Sequence, residues 1–191
     1  MSPKIVLIDE KLEQIREGAL SVFAEKGYYS SKMEDIARDA GMGKGTLYHY
    51  FKSKEEVFDF MVERFFSEYE GMFQTLEKMG LDEAVDFMVE AAFSLTEKEK
   101  RIIQLLLQVW GHAALEKQTK TKVLIQQVYA KYIEQFSGFI ARVKKGEKND
   151  YKALSRQIFA MLDGMMIQIF LYPETAGEKE EMKKAILKMI R

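Results

Sequence analysis

The sequence predicts an all-α fold, and three observations support this prediction. The chain has only two prolines, Pro3 and Pro173, so no proline interrupts any element between them. Apolar residues recur with the helical period along most of the chain, and no segment shows the alternation that is typical of a half-buried strand. Capping residues and glycines lie where the periodic segments begin and end, which favours separate helices joined by short turns.

Nine helices are expected from these patterns, and the first is marked by an apolar face that contains Ile15, Ala19 and Phe23. Glycines are expected to end several of them, among them Gly27 and Gly41. In chain order, the predicted helices cover residues 9–26, 31–40, 44–51, 54–79, 82–95, 96–117, 119–145, 151–172 and 177–191.

The amino-acid composition limits the class of protein to which this chain can belong. The chain has 191 residues and no cysteine, which excludes disulfides and thiolate metal sites and favours a reducing compartment. The N-terminus has no long apolar segment of the kind found in signal peptides. No stretch approaches the roughly 18 apolar residues that cross a bilayer. We therefore expect a soluble cytoplasmic protein without a membrane partner.

Charge is distributed unevenly along the chain. The formal net charge is −1, which alone argues against binding to a polyanion. Residues 26–54, however, contain six basic and three acidic residues, whereas residues 55–191 contain 20 basic and 22 acidic ones. A local basic excess of this kind is typical of a surface that binds phosphates.

The stretch GMGKGTLYHYF, residues 41–51, lies inside the basic segment and combines glycines with a lysine. It is not a P-loop, because Gly45 follows the glycine-lysine pair and Arg38 occupies the position of the first glycine. It is not a dinucleotide-binding loop either, because Thr46 stands where the third glycine belongs. The remaining interpretation is a helix-turn-helix, in which two short helices flank a glycine turn and the second enters the major groove of DNA.

Capping signals support this interpretation. Ser31 with Glu34, and Ser53 with Glu56, have the spacing of a capping box, in which each side chain binds a free backbone N–H of the other residue. The first pair would open the helix before the glycine turn, and the second pair would open the helix that follows the stretch.

The segments GYYSSKMEDIARDAG and AGMGKGTLYHYFKSKEEVF together resemble the helix-turn-helix of the TetR family of bacterial transcriptional regulators. The resemblance covers about residues 10–60, and its motifs are highly specific. It implies an N-terminal three-helix DNA-binding domain, residues 1–53, and a larger C-terminal helical ligand-binding and dimerisation domain, residues 54–191. In the C-terminal part the resemblance is limited to the number and lengths of the helices.

The resemblance also implies DNA-contacting residues. Lys44, Gly45 and Thr46 would open the recognition helix, and Leu47 and Phe51 would point into the core. Two departures from the family pattern are Gly43, at the helix cap, and Lys32, where a threonine is common. The full set of implied DNA contacts is Ser31, Lys32, Lys44, Gly45, Thr46, Tyr48, His49, Tyr50 and Lys54. Taken without the resemblance, the tyrosines could be packing residues, and His49 and Lys32 could be solvated surface residues.

The segment LSRQIFAMLDGMMIQIFLY is apolar on nearly all sides, which is typical of a helix buried on two sides. One side would face the subunit core and the other a second copy of the chain. Together with one face of the last helix, it would form a four-helix interface across a two-fold axis. The residues that we expect at this dimer interface are Ile158, Ala160, Met161, Gly164, Met165, Gln168, Met182, Ile186 and Met189.

The middle helices could enclose a pocket for an apolar effector with a polar group, because they carry a few polar residues among aromatic ones. The candidate lining residues are Gln108, Trp110, His112, Tyr129 and Phe136. The competing interpretation is that the aromatic residues of this set are simply core. His112 has no second histidine or cysteine at ligand spacing, so we expect no metal and no cofactor.

Three functions follow from these patterns. The first is a dimeric, ligand-responsive repressor that binds a palindromic operator in double-stranded DNA and is released by a small, largely apolar effector. The second is an enzyme or small-molecule carrier, but no catalytic constellation is present and His49 and His112 lie in different segments. The third is an architectural DNA-binding protein, which would not need a large C-terminal domain.

Overall fold

The computed structural model of the chain describes residues 3–68, 70–113, 120–147 and 151–191. Within these residues the chain forms ten α-helices and no strand, which confirms the predicted all-α class. The helices are α1 (Pro3–Lys26), α2 (Met33–Asp39), α3 (Lys44–Tyr50), α4 (Lys54–Glu68), α5 (Glu70–Leu76), α6 (Leu81–Phe93), α7 (Glu97–Ala113), α8 (Lys120–Lys144), α9 (Lys152–Leu171) and α10 (Lys179–Ile190).

Two boundaries differ from those predicted. Helix α1 is described from Pro3, earlier than the predicted start at residue 9, and proline suits the first turn of a helix because that turn leaves its N–H positions unpaired. Within the helix predicted over residues 54–79 the structure describes α4 and α5, and Tyr69 between them lies outside the described residues, so the prediction of a single helix stays a prediction. The last predicted helix is preceded by a 3₁₀ helix, Pro173–Glu178, and α10 begins after it.

The chain divides into two compact units. The first contains residues 1–67 and 97–125, and therefore α1 to α3, nearly all of α4, α7 and the beginning of α8. The second contains residues 68–96 and 126–191. The predicted domain boundary after residue 53 stays a prediction.

The first unit is built on the apolar face of α1. Ile15, Ala19 and Phe23 are fully buried, as the helical pattern predicts. The ring of Phe23 lies 5.3 Å from that of Tyr28 and 6.4 Å from that of Phe58, measured between centroids. This aromatic cluster packs α1, the α1–α2 connection and α4 against one another. This packing forms the part of the unit that supports α2 and α3.

Helices α1 and α2 make a close backbone contact at Gly18. A β-carbon added to Gly18 would lie 2.6 Å from the backbone nitrogen of Ala40 and 2.9 Å from its α-carbon. Such distances are far inside van der Waals contact, so only glycine permits this approach. The contact places the end of α2, and with it the turn to α3, against α1.

The second unit has its own apolar core, to which α5, α6, α8, α9 and α10 contribute. Fully buried members include Phe136 of α8, Ile158 of α9 and Ile186 of α10. Helix α9 is 20 residues long, with a mean hydropathy of 1.2 in its most apolar window, and by length and composition alone it could span a bilayer. This corrects the expectation that no such stretch exists, although buried core helices in folded domains have the same composition.

Candidate DNA-binding surface

The turn between α2 and α3 depends on Gly41. Its backbone has φ = +65°, a left-handed conformation that glycine adopts without steric cost. The N–H of Gly41 donates to the carbonyl of Arg38 at 3.1 Å, and the N–H of Met42 donates to that of Ala37 at 2.9 Å. These bonds end α2 as the sequence predicts and direct the chain into α3.

Helix α3 begins at Lys44, with Gly43 as its N-terminal cap. The Gly43 carbonyl accepts N–H bonds from Thr46 at 3.0 Å and Leu47 at 3.2 Å. The helix therefore forms without a capping hydroxyl, and glycine is an acceptable residue at this position.

The two faces of α3 have opposite roles. Leu47 is fully buried and Phe51, which follows the helix, is 9% exposed, so both anchor α3 in the first unit as predicted. The other face consists of exposed or half-buried residues. We define this face as the recognition surface, formed by Lys44, Gly45, Thr46, Tyr48, His49 and Tyr50.

Gly45 lies near the beginning of the recognition surface. A β-carbon added there would meet no atom within 4 Å. The packing of this chain therefore does not require glycine at position 45, although glycine in a helix costs about 1 kcal/mol relative to alanine.

The Lys44 side chain has two partners. Its ammonium forms an ion pair with the carboxylate of Glu34 in α2. The same Nζ lies 5.6 Å from the centroid of the Tyr48 ring, within the range of a cation–π contact. The hydrogen bond and charge of Lys44 hold the pKa of Glu34 below its usual value, and Glu34 raises the pKa of Lys44.

The phosphate contact that the resemblance implies for Lys54 stays a prediction, and the structure shows its side chain with partners inside the chain. Its Nζ donates to the backbone carbonyls of Tyr28 at 2.7 Å, Ser31 at 2.9 Å and Tyr29 at 3.1 Å, and it lies 4.6 Å from the centroid of the Tyr28 ring. An ammonium has three N–H donors, so all of them are used within the chain. Burial lowers the pKa of Lys54. These contacts hold the beginning of α4 against the α1–α2 connection and engage the Lys54 ammonium in the free chain.

The structure contradicts the prediction that the Ser31 side chain contacts DNA. Its side chain is 4% exposed, and its hydroxyl lies 2.6 Å from the Gly27 carbonyl, which accepts its hydrogen bond. A buried hydroxyl with an internal acceptor is not a DNA contact. Lys32, which was expected beside it on the DNA-binding face, remains exposed.

The capping box predicted for α2 is displaced by one residue. The cap residue is Lys32, and its N–H donates to the carboxylate of Asp35 at 3.3 Å. Asp35 also accepts from Lys26 and Arg38, both at 2.8 Å. Because Asp35 fulfils the capping role, the carboxylate of Glu34 is directed to Lys44 instead. At α4, the hydroxyl of Ser53 accepts the N–H of Glu56 at 3.3 Å, which is one half of the predicted box, whereas the Glu56 carboxylate accepts the N–H of Lys52 at 2.6 Å.

The predicted effector residues are distributed over both units. Gln108 is exposed in the first unit, beside Gly27. The side chains of Trp110 and His112 lie outside the described residues. Phe136 is fully buried in the second unit, with its ring centroid 5.6 Å from those of Phe139 and Phe159, so its role is core packing.

Tyr129 is the predicted effector residue that the structure connects to a further polar group. Its hydroxyl donates to the carboxylate of Asp163 at 2.7 Å. Burial raises the pKa of both groups. An acid in an apolar setting, held by a tyrosine, is a convergent polar pair of the kind found in ligand sites.

The predicted dimer residues divide into two groups. Ile158 and Ile186 are fully buried, and Met165 and Met182 are 7% and 8% exposed, so these four belong to the core of their own unit. This corrects their assignment to the interface, because apolar periodicity does not distinguish a core stripe from an interface stripe. The other predicted residues retain accessible surface: Ala160, Met161, Gly164, Gln168 and Met189.

Sequence reasoning assigned Glu34 to a capping box with Ser31 and not to an ion pair with Lys44, and it did not single out Asp163. For Asp163 a signal existed, because it is the one acid in the apolar run MLDGMMI. For Glu34 the spacing predicted a capping role, but the structure gives that role to Asp35, because α2 begins one residue later than the spacing implies.

Comparison with known proteins gives two family matches that agree with this geometry. Residues 15–61 match the family of bacterial regulatory proteins described as the tetR family. Residues 82–191 match the C-terminal domain of BetI-type transcriptional repressors. The first match contains the recognition surface, and the second contains α7 to α10 and all of α6 except its first residue.

Full-length relatives agree as well. The uncharacterized HTH-type transcriptional regulator YvdT of Bacillus subtilis is 25% identical over 186 residues, which are 95% of this chain and 93% of YvdT. A transcriptional regulator from Saccharomonospora viridis, solved in complex with choline, has a TM-score of 0.75 at 21% identity, covering 95% of this chain and 96% of its own.

A third similar protein is the regulator FadR of Bacillus subtilis, solved in complex with stearoyl-CoA. Its TM-score is 0.69 at 18% identity, and the alignment covers 94% of this chain and 99% of FadR. At these identities the two solved structures establish the fold. The two family matches, one of which covers more than half of the chain, establish more: this chain belongs to the TetR family of bacterial transcriptional regulators.

Proposed function

We propose that the protein is a ligand-responsive cytoplasmic repressor that binds a palindromic DNA operator as a homodimer and is released by a small, largely apolar effector. The observation that carries this proposal is the recognition surface. It exposes Lys44, Gly45 and Thr46 at the beginning of a helix whose opposite face is anchored by Leu47. A helix presented in this way inserts the residues of its first turn into the major groove.

Each residue of the recognition surface has a proposed task. Lys44 binds a phosphate or a base edge, Gly45 permits close approach, and Thr46 offers a hydroxyl. Tyr48, His49 and Tyr50 contact the walls of the groove. Lys32 adds a phosphate contact from the cap of α2.

The proposed dimer interface follows the accessible side of α9. Ala160, Gly164 and Gln168 lie one turn apart on one face of the helix, and a β-carbon on Gly164 would meet no atom within 4 Å. Two large apolar residues, Ile167 at 37% exposure and Leu171 at 67%, extend this stripe. Small residues permit close helix crossing, and exposed apolar ones gain by burial, so this stripe is the surface that we assign to a second copy of the chain.

The proposed effector site uses the Tyr129–Asp163 pair as its polar group. Residues 82–191 match a repressor family, and regulators of similar fold were solved with choline and with stearoyl-CoA. These comparisons support ligand binding by the helical C-terminal part. Binding of the effector would change the spacing of the two recognition helices, and only one spacing fits half-sites about 34–36 Å apart.

The DNA-binding assignment is tested with duplexes that the wild-type protein selects from a random DNA pool. Lys44→Ala and Tyr48→Ala are expected to weaken binding to the selected duplex by about tenfold or more while the far-ultraviolet circular dichroism spectrum stays unchanged. Lys184→Ala, at an exposed lysine of α10, is the control for loss of one positive charge. Equal affinities for Lys44→Ala and Lys184→Ala would contradict the assignment.

The interface assignment is tested by sedimentation equilibrium. Gly164→Leu places a large side chain in the proposed helix crossing and is expected to shift the protein toward monomer. Gly71→Leu is the matched control, because a β-carbon at Gly71 of α5 also meets no atom within 4 Å. An unchanged dimer affinity in Gly164→Leu would place the interface elsewhere.

A further inference from the structure

The ion pair between Glu34 and Lys44 lies at the edge of the recognition surface. Glu34 belongs to the first turn of α2, and Lys44 is the first residue of α3. The side chains are 49% and 59% exposed, so both charges remain accessible to an approaching molecule.

The neighbouring side chains leave Glu34 as the ion-pair partner of Lys44, with Lys32 as a further positive charge near Glu34. Asp35, the other acid of the same turn, is already engaged by Lys26 and Arg38. Glu34 is therefore the carboxylate that faces the lysine at the beginning of the recognition helix. Exposed ion pairs contribute little to the stability of a fold. The Glu34 charge matters more for which anion the Lys44 ammonium binds.

A phosphate and the Glu34 carboxylate compete for the same ammonium. If Lys44 donates to a DNA phosphate, it must leave Glu34 or hold two anions close together, and like charges placed close together repel. The Tyr48 ring, 5.6 Å from Nζ, keeps the lysine at the recognition surface when the carboxylate releases it.

We propose that Glu34 is an intramolecular competitor of the DNA phosphate, which holds the Lys44 ammonium in the free protein and so limits the affinity for DNA. The proposal rests on the proposed function, since it assumes that α3 contacts DNA through Lys44. The proposal makes Glu34, which lies outside the recognition helix, a residue that sets the affinity for DNA. Such a residue weakens the complexes with all DNA sequences alike.

The first test is Glu34→Gln, which keeps the size of the side chain and removes its charge. Binding to the selected duplex is expected to strengthen by roughly two- to fivefold per subunit at low salt, the range measured for exposed ion pairs. The gain is expected to shrink as salt is added, because screening weakens the competing interactions. Glu25→Gln, at an exposed acid of α1, is the control for the same change in net charge and is expected to have a smaller effect.

A double-mutant cycle separates competition from simple repulsion. If Glu34 acts through Lys44, Glu34→Gln has no effect in a Lys44→Met background. An equal gain in both backgrounds would overturn the proposal, because Glu34 would then repel DNA directly. Weaker or unchanged binding by Glu34→Gln alone would also overturn it, because Glu34 would then position Lys44 or be irrelevant to it.

The outcome also distinguishes this proposal from the proposed function. If the wild-type protein binds no duplex from the pool, both fail. If Lys44→Met weakens binding and Glu34→Gln changes nothing, only the role of Glu34 fails. Thermal unfolding of each variant checks that the differences in affinity do not arise from loss of fold.

Discussion

Glycine is used for opposite reasons in two regions of the first unit, the α1–α2 contact and the beginning of α3. At Gly18 a β-carbon would lie 2.6 Å from the backbone of Ala40, whereas at Gly45 it would meet nothing within 4 Å. Gly18 is therefore explained by the packing of the chain. Gly45 is not, and its proposed explanation is the close approach of DNA. A glycine that the packing of the chain does not require is therefore a candidate for binding another molecule when it lies on a surface whose position the fold fixes.

The largest expected effect is at the packed glycine. Gly18→Ala forces α1 and α2 apart, and we expect a loss of about 3 kcal/mol in the free energy of unfolding, the upper part of the range for overpacked sites. Urea denaturation of the variant measures this loss. A variant as stable as the wild type would mean that α2 can shift at little cost, and the contrast with Gly45 would disappear.

Lys54 sharpens the comparison, because the family resemblance assigns it to DNA and the structure assigns it to the fold. Lys54→Met removes three donors from the carbonyls of Tyr28, Tyr29 and Ser31, and we expect a loss of about 1–2 kcal/mol in the free energy of unfolding. The dependence of DNA affinity on salt is expected to stay the same, because no phosphate contact is lost. Unchanged stability together with a shallower salt dependence would restore Lys54 to the DNA-binding surface.

The smallest expected effect concerns the second unit and depends on pH. Burial raises the pKa of Asp163 above its usual value of 3.8, so between those two pKa values the folded protein binds more protons than the unfolded one. The free energy of unfolding of the wild type therefore falls as pH rises through this interval. Asparagine does not titrate, so the stability of Asp163→Asn does not fall in this interval. The free energy of unfolding of the variant minus that of the wild type is therefore expected to rise with pH and then to become constant. Urea denaturation of both proteins at several pH values measures the difference, and a pH-independent difference would contradict the burial of Asp163.

The sequence predicts a region well where local sequence determines its structure, and poorly where contacts between distant residues do. Helix class and the turn at Gly41 are determined by local sequence and are predicted from it, and the family resemblance implies the inward direction of Leu47 and Phe51. The roles of Lys54 and Ser31 were not predicted, because a lysine can donate to a phosphate or to carbonyls, and only the fold brings the carbonyls of residues 28–31 within its reach.

The same limit applies to α9. Its apolar stripes indicate burial on more than one side, but the period of a helix does not say which side meets the chain itself. The structure assigns Ile158 and Met165 to the core and leaves Ala160, Gly164 and Gln168 accessible. The effector residues were the least predictable, because a pocket depends on helices that are distant in sequence.

The most direct test of the central claim, that the beginning of α3 meets DNA, is the affinity of Gly45→Leu for the selected duplex. Leucine favours a helix more than glycine does, and the site has room, so the free energy of unfolding is expected to stay the same or to rise by up to about 1 kcal/mol. DNA affinity is expected to fall by more than about tenfold, because the side chain occupies the space in which the duplex would lie. Gly71→Leu, the matched change in α5, is expected to leave affinity unchanged. If Gly45→Leu binds DNA as tightly as Gly71→Leu does, the recognition surface is not where the protein contacts DNA.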